Sequence, residues 1–299
     1  MTKLAKAVTE SQALRKVAIP AYRMYARALV FNRGPRVLAN SMPKAGTHLA
    51  AALLQNLPQM KFAGRHHTFA EFELPSARPA DERQGLWESE IDWERLGRSL
   101  GAVNKGQYMT AHFGPLPRLV TLLEQLQYKT IVMLRDPRDV AVSTVFYVSR
   151  LKRHRLHERF NNELTSFDDR LMASIVGVTS GRRRGLVPIN RRISRYKRWL
   201  DVPNVLPCRF EDLIGPSGGG SAERQRAAII DISNHVDRPV GPDEADALAR
   251  RTWSTNSSTF RKGAIGDWRN HFKEEHRDAF KAIAGDLLIA LGYESDLDW

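Results

Sequence analysis

The residues Ser41-Met42-Pro43-Lys44-Ala45-Gly46-Thr47-His48 combine what a multiply charged anion needs. Gly46 permits close backbone approach, the amides from Ala45 to His48 point out of a helix beginning there, Lys44 adds a point charge and Thr47 a hydroxyl. A second cationic segment, Arg135-Asp136-Pro137-Arg138-Asp139, has a proline suited to a first helical position. Ser143 lies one turn beyond Asp139, so a bound phosphate can sit between the Arg135 guanidinium and the Ser143 hydroxyl, with Arg138 and Asp139 as scaffolding. A third segment, Phe260-Arg261-Lys262-Gly263, sets two adjacent cations and a glycine before AIGDWRNHF, whose glycine, aspartate and tryptophan read as an ordered loop.

Loops like these need elements to hold them. RVLAN, 36–40, reads as a short strand feeding the first loop, and LAAALLQNL behind it as a helix with Leu49, Leu53 and Leu57 on one face. TIVML, 130–134, is a buried parallel strand ending in RDPRD, from which a helix runs out of Pro137. A third strand is expected at Val205 and Leu206, with helices over 116–127, 222–232, 243–253 and 273–291, the last stopped by Gly292. Strands alternating with helices imply an α/β fold with a mainly parallel central sheet covered on both faces, its ligands at the carboxyl ends of the strands.

The first 30 residues form an amphipathic helical region, with Leu14, Val17, Ala18, Tyr22, Tyr25 and Leu29 recurring between Lys16, Arg23 and Arg27. Pro20 is expected to bend or divide it. A helix packed on the domain is the first reading and a membrane-surface helix the second. Residues 75–85 and the PSGGGS run at 216–221 read as surface loops, the latter flexible. Without a repeat or a clear boundary, residues 1–299 are expected to form one domain.

At 299 residues, 42% of them hydrophobic, the chain can bury a large core, which rules out disorder throughout. Forty-six Lys and Arg against 33 Asp and Glu give a net charge of +13, which calls for an anionic partner without choosing one. The single cysteine, Cys208, excludes an intrachain disulfide and a cysteine-held metal cluster and suits a reducing compartment. No run reaches the roughly 18 apolar residues of a membrane span, so a soluble, cytoplasmic protein is expected, with peripheral membrane contact left open. Between Arg182 and Arg198 lie eight cations and no acid. Without interleaved aromatic residues this stretch argues little for nucleic acid and suits an acceptor or membrane contact better.

The first loop lacks the GxxxxGK[ST] order of nucleoside triphosphatases, and TIVML ends in Arg135 where a magnesium-holding acid would stand. Both departures weigh against the rival reading, a nucleotide or small-molecule kinase. Together the three segments resemble those of sulfotransferases of the cytosolic type, which use 3'-phosphoadenosine 5'-phosphosulfate (PAPS). The family's PKSGTT-like, RDPRDxxVS-like and RKGxxGDW stretches read here PKAGTH at 43–48, RDPRDVAVS at 135–143 and RKGAIGDWRNHF at 261–272, in the same order. The resemblance implies a P-loop-like three-layer αβα fold, PAPS as sulfuryl donor, 3'-phosphoadenosine 5'-phosphate (PAP) as product, no metal, and a hydroxyl-bearing acceptor such as a glycan, glycolipid or small natural product. It assigns Lys44, Ala45, Gly46, Thr47 and His48 to the 5'-phosphosulfate and Arg135 and Ser143 to the 3'-phosphate. Arg261, Lys262 and Gly263 would close over that phosphate, Phe260 would pack near the adenine, and Trp268 would support the loop from within.

The same resemblance makes His112, in Tyr108-Met109-Thr110-Ala111-His112, the general base and Lys44 its catalytic partner, with Glu71 and Glu73 as weaker alternatives for the base. The chain departs from the family at Ala45, where serine is common, at Leu49, where a tryptophan stacks on adenine, and at Thr110, where many members carry lysine. Lys105 is no simple replacement. Acceptor identity and homo-oligomerisation stay open.

Overall fold

The computed structural model describes residues 12–28, 33–76, 88–178, 185–252 and 262–299. Among them β1 (Arg36–Ser41), β2 (Lys61–Thr68), β3 (Gln107–His112), β4 (Tyr128–Leu134) and β5 (Val205–Arg209) form an all-parallel sheet in the order β2-β3-β1-β4-β5. Alternate residues of the central strands face opposite layers. Val37, Ala39, Ile131 and Met133 pack into one apolar cluster, while Leu38, Met109 and Val132 pack into the other. Burial on both faces is why β4 reads as an unbroken apolar run.

Besides the single turn Phe210–Leu213, ten longer helices are described: α1 (Gln12–Ala28), α2 (Thr47–Asn56), α3 (Trp93–Gly101), α4 (Pro117–Gln125), α5 (Pro137–Arg150), α6 (Phe167–Val176), α7 (Ile189–Lys197), α8 (Ala222–His235), α9 (Pro242–Thr252) and α10 (Glu274–Ala290). Helices α2, α8 and α9 cover one face of the sheet, and α3 to α7 with α10 cover the other, giving the expected three layers. From β1 the chain goes to β2 on one side, and from the adjacent β4 to β5 on the other. The crevice between the carboxyl ends of β1 and β4 is therefore the topological switch point, where such sheets bind ligands.

The expected strands at 36–40, 130–134 and 205–206 all form, the last extended to Arg209. Strands β2 and β3 were not expected. Edge strand β2 carries the polar run Gly64-Arg65-His66-His67, and β3 buries Gln107 and Thr110, so neither shows an apolar signature. Helices α3, α6 and α7 are also additional.

One expectation is narrowed and one corrected. Of bending or division at Pro20, division is excluded: α1 runs unbroken through it at the cost of one amide donor to the carbonyl of Lys16. The PSGGGS run is an ordered turn: Gly218 is buried and its carbonyl accepts from the Ile265 amide at 2.9 Å. A Cβ at Gly218 would lie 2.5 Å from the Gly263 oxygen, so glycine there permits the third cationic segment to dock.

Candidate active site

The first loop leaves β1 at Ser41 and enters α2 at Thr47. Lys44 takes a left-handed φ of 73°, unusual for a side-chain-bearing residue, and Gly46 has φ 107°. A Cβ on Gly46 would lie 3.0 Å from Phe210 and 3.2 Å from Met133, so the loop is cradled too closely for a larger residue. Ala45 is fully buried and its amide donates to the Met42 carbonyl at 3.1 Å, which corrects the expectation that it points outward. Leu49 and Ala50 donate to the Gly46 carbonyl, and the Thr47 and His48 amides have no partner within the helix and can meet an anion. The ammonium of Lys44 lies 4.3 Å from the centre of the Tyr147 ring.

The second segment begins α5. Asp136 caps it, accepting from the Arg138 amide at 2.8 Å, and Pro137 takes the first helical position. Arg138 is buried, bonded through Nε and Nη2 to Asp136, paired with Glu294, and stacked 4.0 Å from the Trp268 ring and 4.5 Å from the Trp299 ring. Asp139 accepts from the amides of Gly266 and Trp268, each at 2.9 Å, and so ties the third segment to the second. Helical spacing puts Asp139, Ser143 and Tyr147 on one stripe of α5. Half-buried Ser143 thus stands between the anchor of the third segment and the ring beneath Lys44.

Arg135 joins all three segments. Its guanidinium donates to the Lys44 carbonyl at 3.3 Å and the Ala264 carbonyl at 3.0 Å, lies 3.7 Å from Asp139, and stacks 4.2 Å from the Phe210 ring. Its buried Nε has no hydrogen-bond partner among the described residues, an orphaned donor that suits a bound phosphate. Lys262 pairs with buried Asp267 at 3.0 Å, and Gly263 has φ 60°. Phe260 and Arg261 lie outside the described residues.

His112 ends β3 beside the first loop. Asn40 holds that end reciprocally, donating to the Phe113 carbonyl at 2.8 Å and accepting from its amide at 2.9 Å. The Nδ1 of His112 lies 2.8 Å from the Ser41 carbonyl. A carbonyl only accepts, so Nδ1 carries the proton and the neutral ring bears its lone pair on Nε2. Burial, then the neighbouring His66, then His48 and Lys44 push the His112 pKa down to about 4, against the Ser41 hydrogen bond, which raises it. His48, at the start of α2, is likewise pushed down to about 4 by the protein around it, Lys44 and His66. Both rings are neutral at pH 7.

Sequence reasoning missed three participants. Tyr147 and Asn40 carry no motif signal. His66 read as part of a polar stretch, but β2 sets it opposite Thr110, with Nδ1 2.9 Å from the Thr110 hydroxyl and its ring 4.7 Å from that of His112, edge to face. The pairing of β2 with β3 alone brings these imidazoles together. Glu71 is engaged elsewhere: it bonds His67 at 2.8 Å and the Thr68 amide at 2.9 Å, and these contacts hold its carboxyl below the usual range although burial pushes it up.

A parallel sheet with a phosphate-type loop after β1, an arginine at the end of β4 and a glycine-rich loop folded onto both is an architecture this chain shares with solved sulfotransferase structures. Mouse sulfotransferase SULT7A1 complexed with PAP is similar in structure, at TM-score 0.55 and 18% identity over 87% of this chain and 89% of that one. Retinol dehydratase in complex with androsterone and inactive cofactor PAP matches at TM-score 0.52 and 17% identity, over 85% and 80% of the two chains. In sequence the chain is similar to the 3-alpha-hydroxysteroid sulfotransferase of Cavia porcellus, 24% identical over 178 residues, which cover 52% of this chain and 54% of that protein. The chain thus spans about half the length of that curated relative. No family model matches it.

Proposed function

We propose that this chain is a sulfotransferase that moves a sulfuryl group from PAPS to an acceptor hydroxyl, with His112 as general base. The observation that carries this reading is the Nδ1 contact of His112 with the Ser41 carbonyl, which fixes the basic lone pair on Nε2 beside an anion-binding loop. The similar proteins named as sulfotransferases and the relatives complexed with PAP support the choice of donor.

The residues fit such a donor. The loop backbone and Lys44 suit the phosphosulfate end, while Ser143, Arg135 with its orphaned Nε, Lys262 and Gly263 suit a 3'-phosphate. When bound, the donor supplies an activated sulfuryl group on its 5'-phosphate. Nε2 of His112 takes the proton of the acceptor hydroxyl as the acceptor oxygen attacks sulfur and the bond between sulfur and the 5'-phosphate oxygen breaks. Lys44 and the amides of the first α2 turn meet the charge left on the 5'-phosphate. With a pKa of about 4, His112 is a weak base alone. Negative charge beside it raises the pKa again, so the loop that holds the donor also prepares the base.

The test is His112→Ala at saturating donor. We expect PAP affinity unchanged and transfer lowered by about 10²–10⁴-fold, the range of a positioned acid–base group. Wild-type turnover in the folded variant would remove His112 as base. Magnesium-dependent binding of ATP in preference to PAP would favour kinase chemistry.

A further inference from the structure

Helix α1 packs across edge strand β2 by one face: Arg23 Nε donates to the Gly64 carbonyl at 3.1 Å, and the Tyr22 ring lies 6.2 Å from that of Phe62. Its other face is apolar and open. Val17 is 72% exposed, Met24 73% and Tyr25 61%, and with exposed Ala21 they follow the spacing i, i+4, i+7, i+8 of a single helical stripe. The helix carries Arg15, Lys16, Arg23 and Arg27, and no carboxylate occurs between Glu10 and Glu71. An apolar stripe on a cationic helix is the pattern of a segment lying in the headgroup layer of an anionic bilayer.

We propose that α1 docks the protein on anionic membrane surfaces through Val17, Ala21, Met24 and Tyr25, with exposed Lys16 and the helix's positive charge meeting lipid headgroups. Charge complementarity selects this occupant over a second copy of the chain. Pairing two α1 helices along the stripe would bring their cations together, and one such stripe buries roughly a few hundred Å², below the ~1,000 Å² of a specific interface. An anionic bilayer instead neutralises the cations while taking up the apolar side chains.

The experiment is flotation of the full chain with phosphatidylcholine vesicles, with and without 30 mol% phosphatidylserine, at low and high salt, alongside V17E/M24E. We expect binding to the phosphatidylserine vesicles that weakens with salt and falls at least about tenfold in the double variant. Melting temperature and PAP affinity should stay unchanged, since neither side chain contributes to the core or the site. Absent binding, binding indifferent to phosphatidylserine, or equal binding by the variant would each overturn the proposal. So would a concentration-dependent dimer, seen by light scattering, that V17E/M24E dissolves while wild type ignores vesicles.

Discussion

Replacing Asp139 by alanine tests whether the third segment is positioned by the second. The carboxylate accepts from the Gly266 and Trp268 amides at 2.9 Å each, across more than 120 residues of sequence, and also faces Arg135 at 3.7 Å. Hydrogen bonds to a charged group contribute about 1.5–3 kcal/mol apiece, so full loss of the two is worth roughly 3–6 kcal/mol before the desolvation cost of the stranded amides. Not all of it need appear in global unfolding. Other ties remain, from Arg135 to the Ala264 carbonyl and from the Ile265 amide to Gly218, and the segment can detach locally instead. Undocking would show as a smaller fraction of binding-competent protein, which divides the dissociation constant by that fraction and so weakens the apparent affinity.

The assays are therefore paired: denaturant unfolding for stability and calorimetry with PAP and adenosine 5'-phosphate for the site. Asp139→Ala should lose about 2–4 kcal/mol of stability, or weaken PAP about two- to tenfold, or divide the loss between the two. Adenosine 5'-phosphate should be affected less, because the third segment is assigned to the 3'-phosphate. Asp139→Asn keeps one acceptor and should fall between. Stability within about 0.5 kcal/mol of wild type together with unchanged PAP affinity would refute the reasoning.

Three further outcomes are expected. Arg138→Met should destabilise by about 3–5 kcal/mol in denaturant unfolding, because it strands Asp136 and Glu294 while keeping the stacked volume between Trp268 and Trp299. Gly46→Ala should weaken PAP binding about tenfold by calorimetry and leave the fold intact, since the new Cβ meets Phe210 and Met133 at a φ that side chains rarely adopt. Stability should also fall on mild acidification. His112 titrates at about 4 in the folded protein and near 6.5 when unfolded, so the unfolded chain binds the extra proton between those values. The stabilisation is complete above pH 6.5 and lost toward pH 4, by up to about 1.4 kcal/mol per pH unit for this one group, and His112→Ala should flatten that slope in melts run from pH 7 to 4.5.

What could be read from the sequence follows from how local each signal is. Strands β1 and β4 were legible because both faces are buried, and the loops after them because a lysine, a glycine and an arginine at strand ends carry their chemistry in their own residue types. Strand β3 was not, because it spends positions on Gln107, Thr110 and His112, so the histidine was found by resemblance rather than periodicity. His66 needed the β2–β3 register, and Asp139 needed the fold that returns the third segment to α5. The PSGGGS run shows the limit most directly. A missing Cβ permits both free motion and close approach, and composition alone suggests motion. The deciding fact is that Gly218 lies against the Gly263 oxygen, and that partner comes from a segment distant in sequence. A glycine run next to a strand-end helical turn in an α/β chain is therefore ambiguous until the partner of its backbone is known, and here that partner is part of the candidate phosphate site.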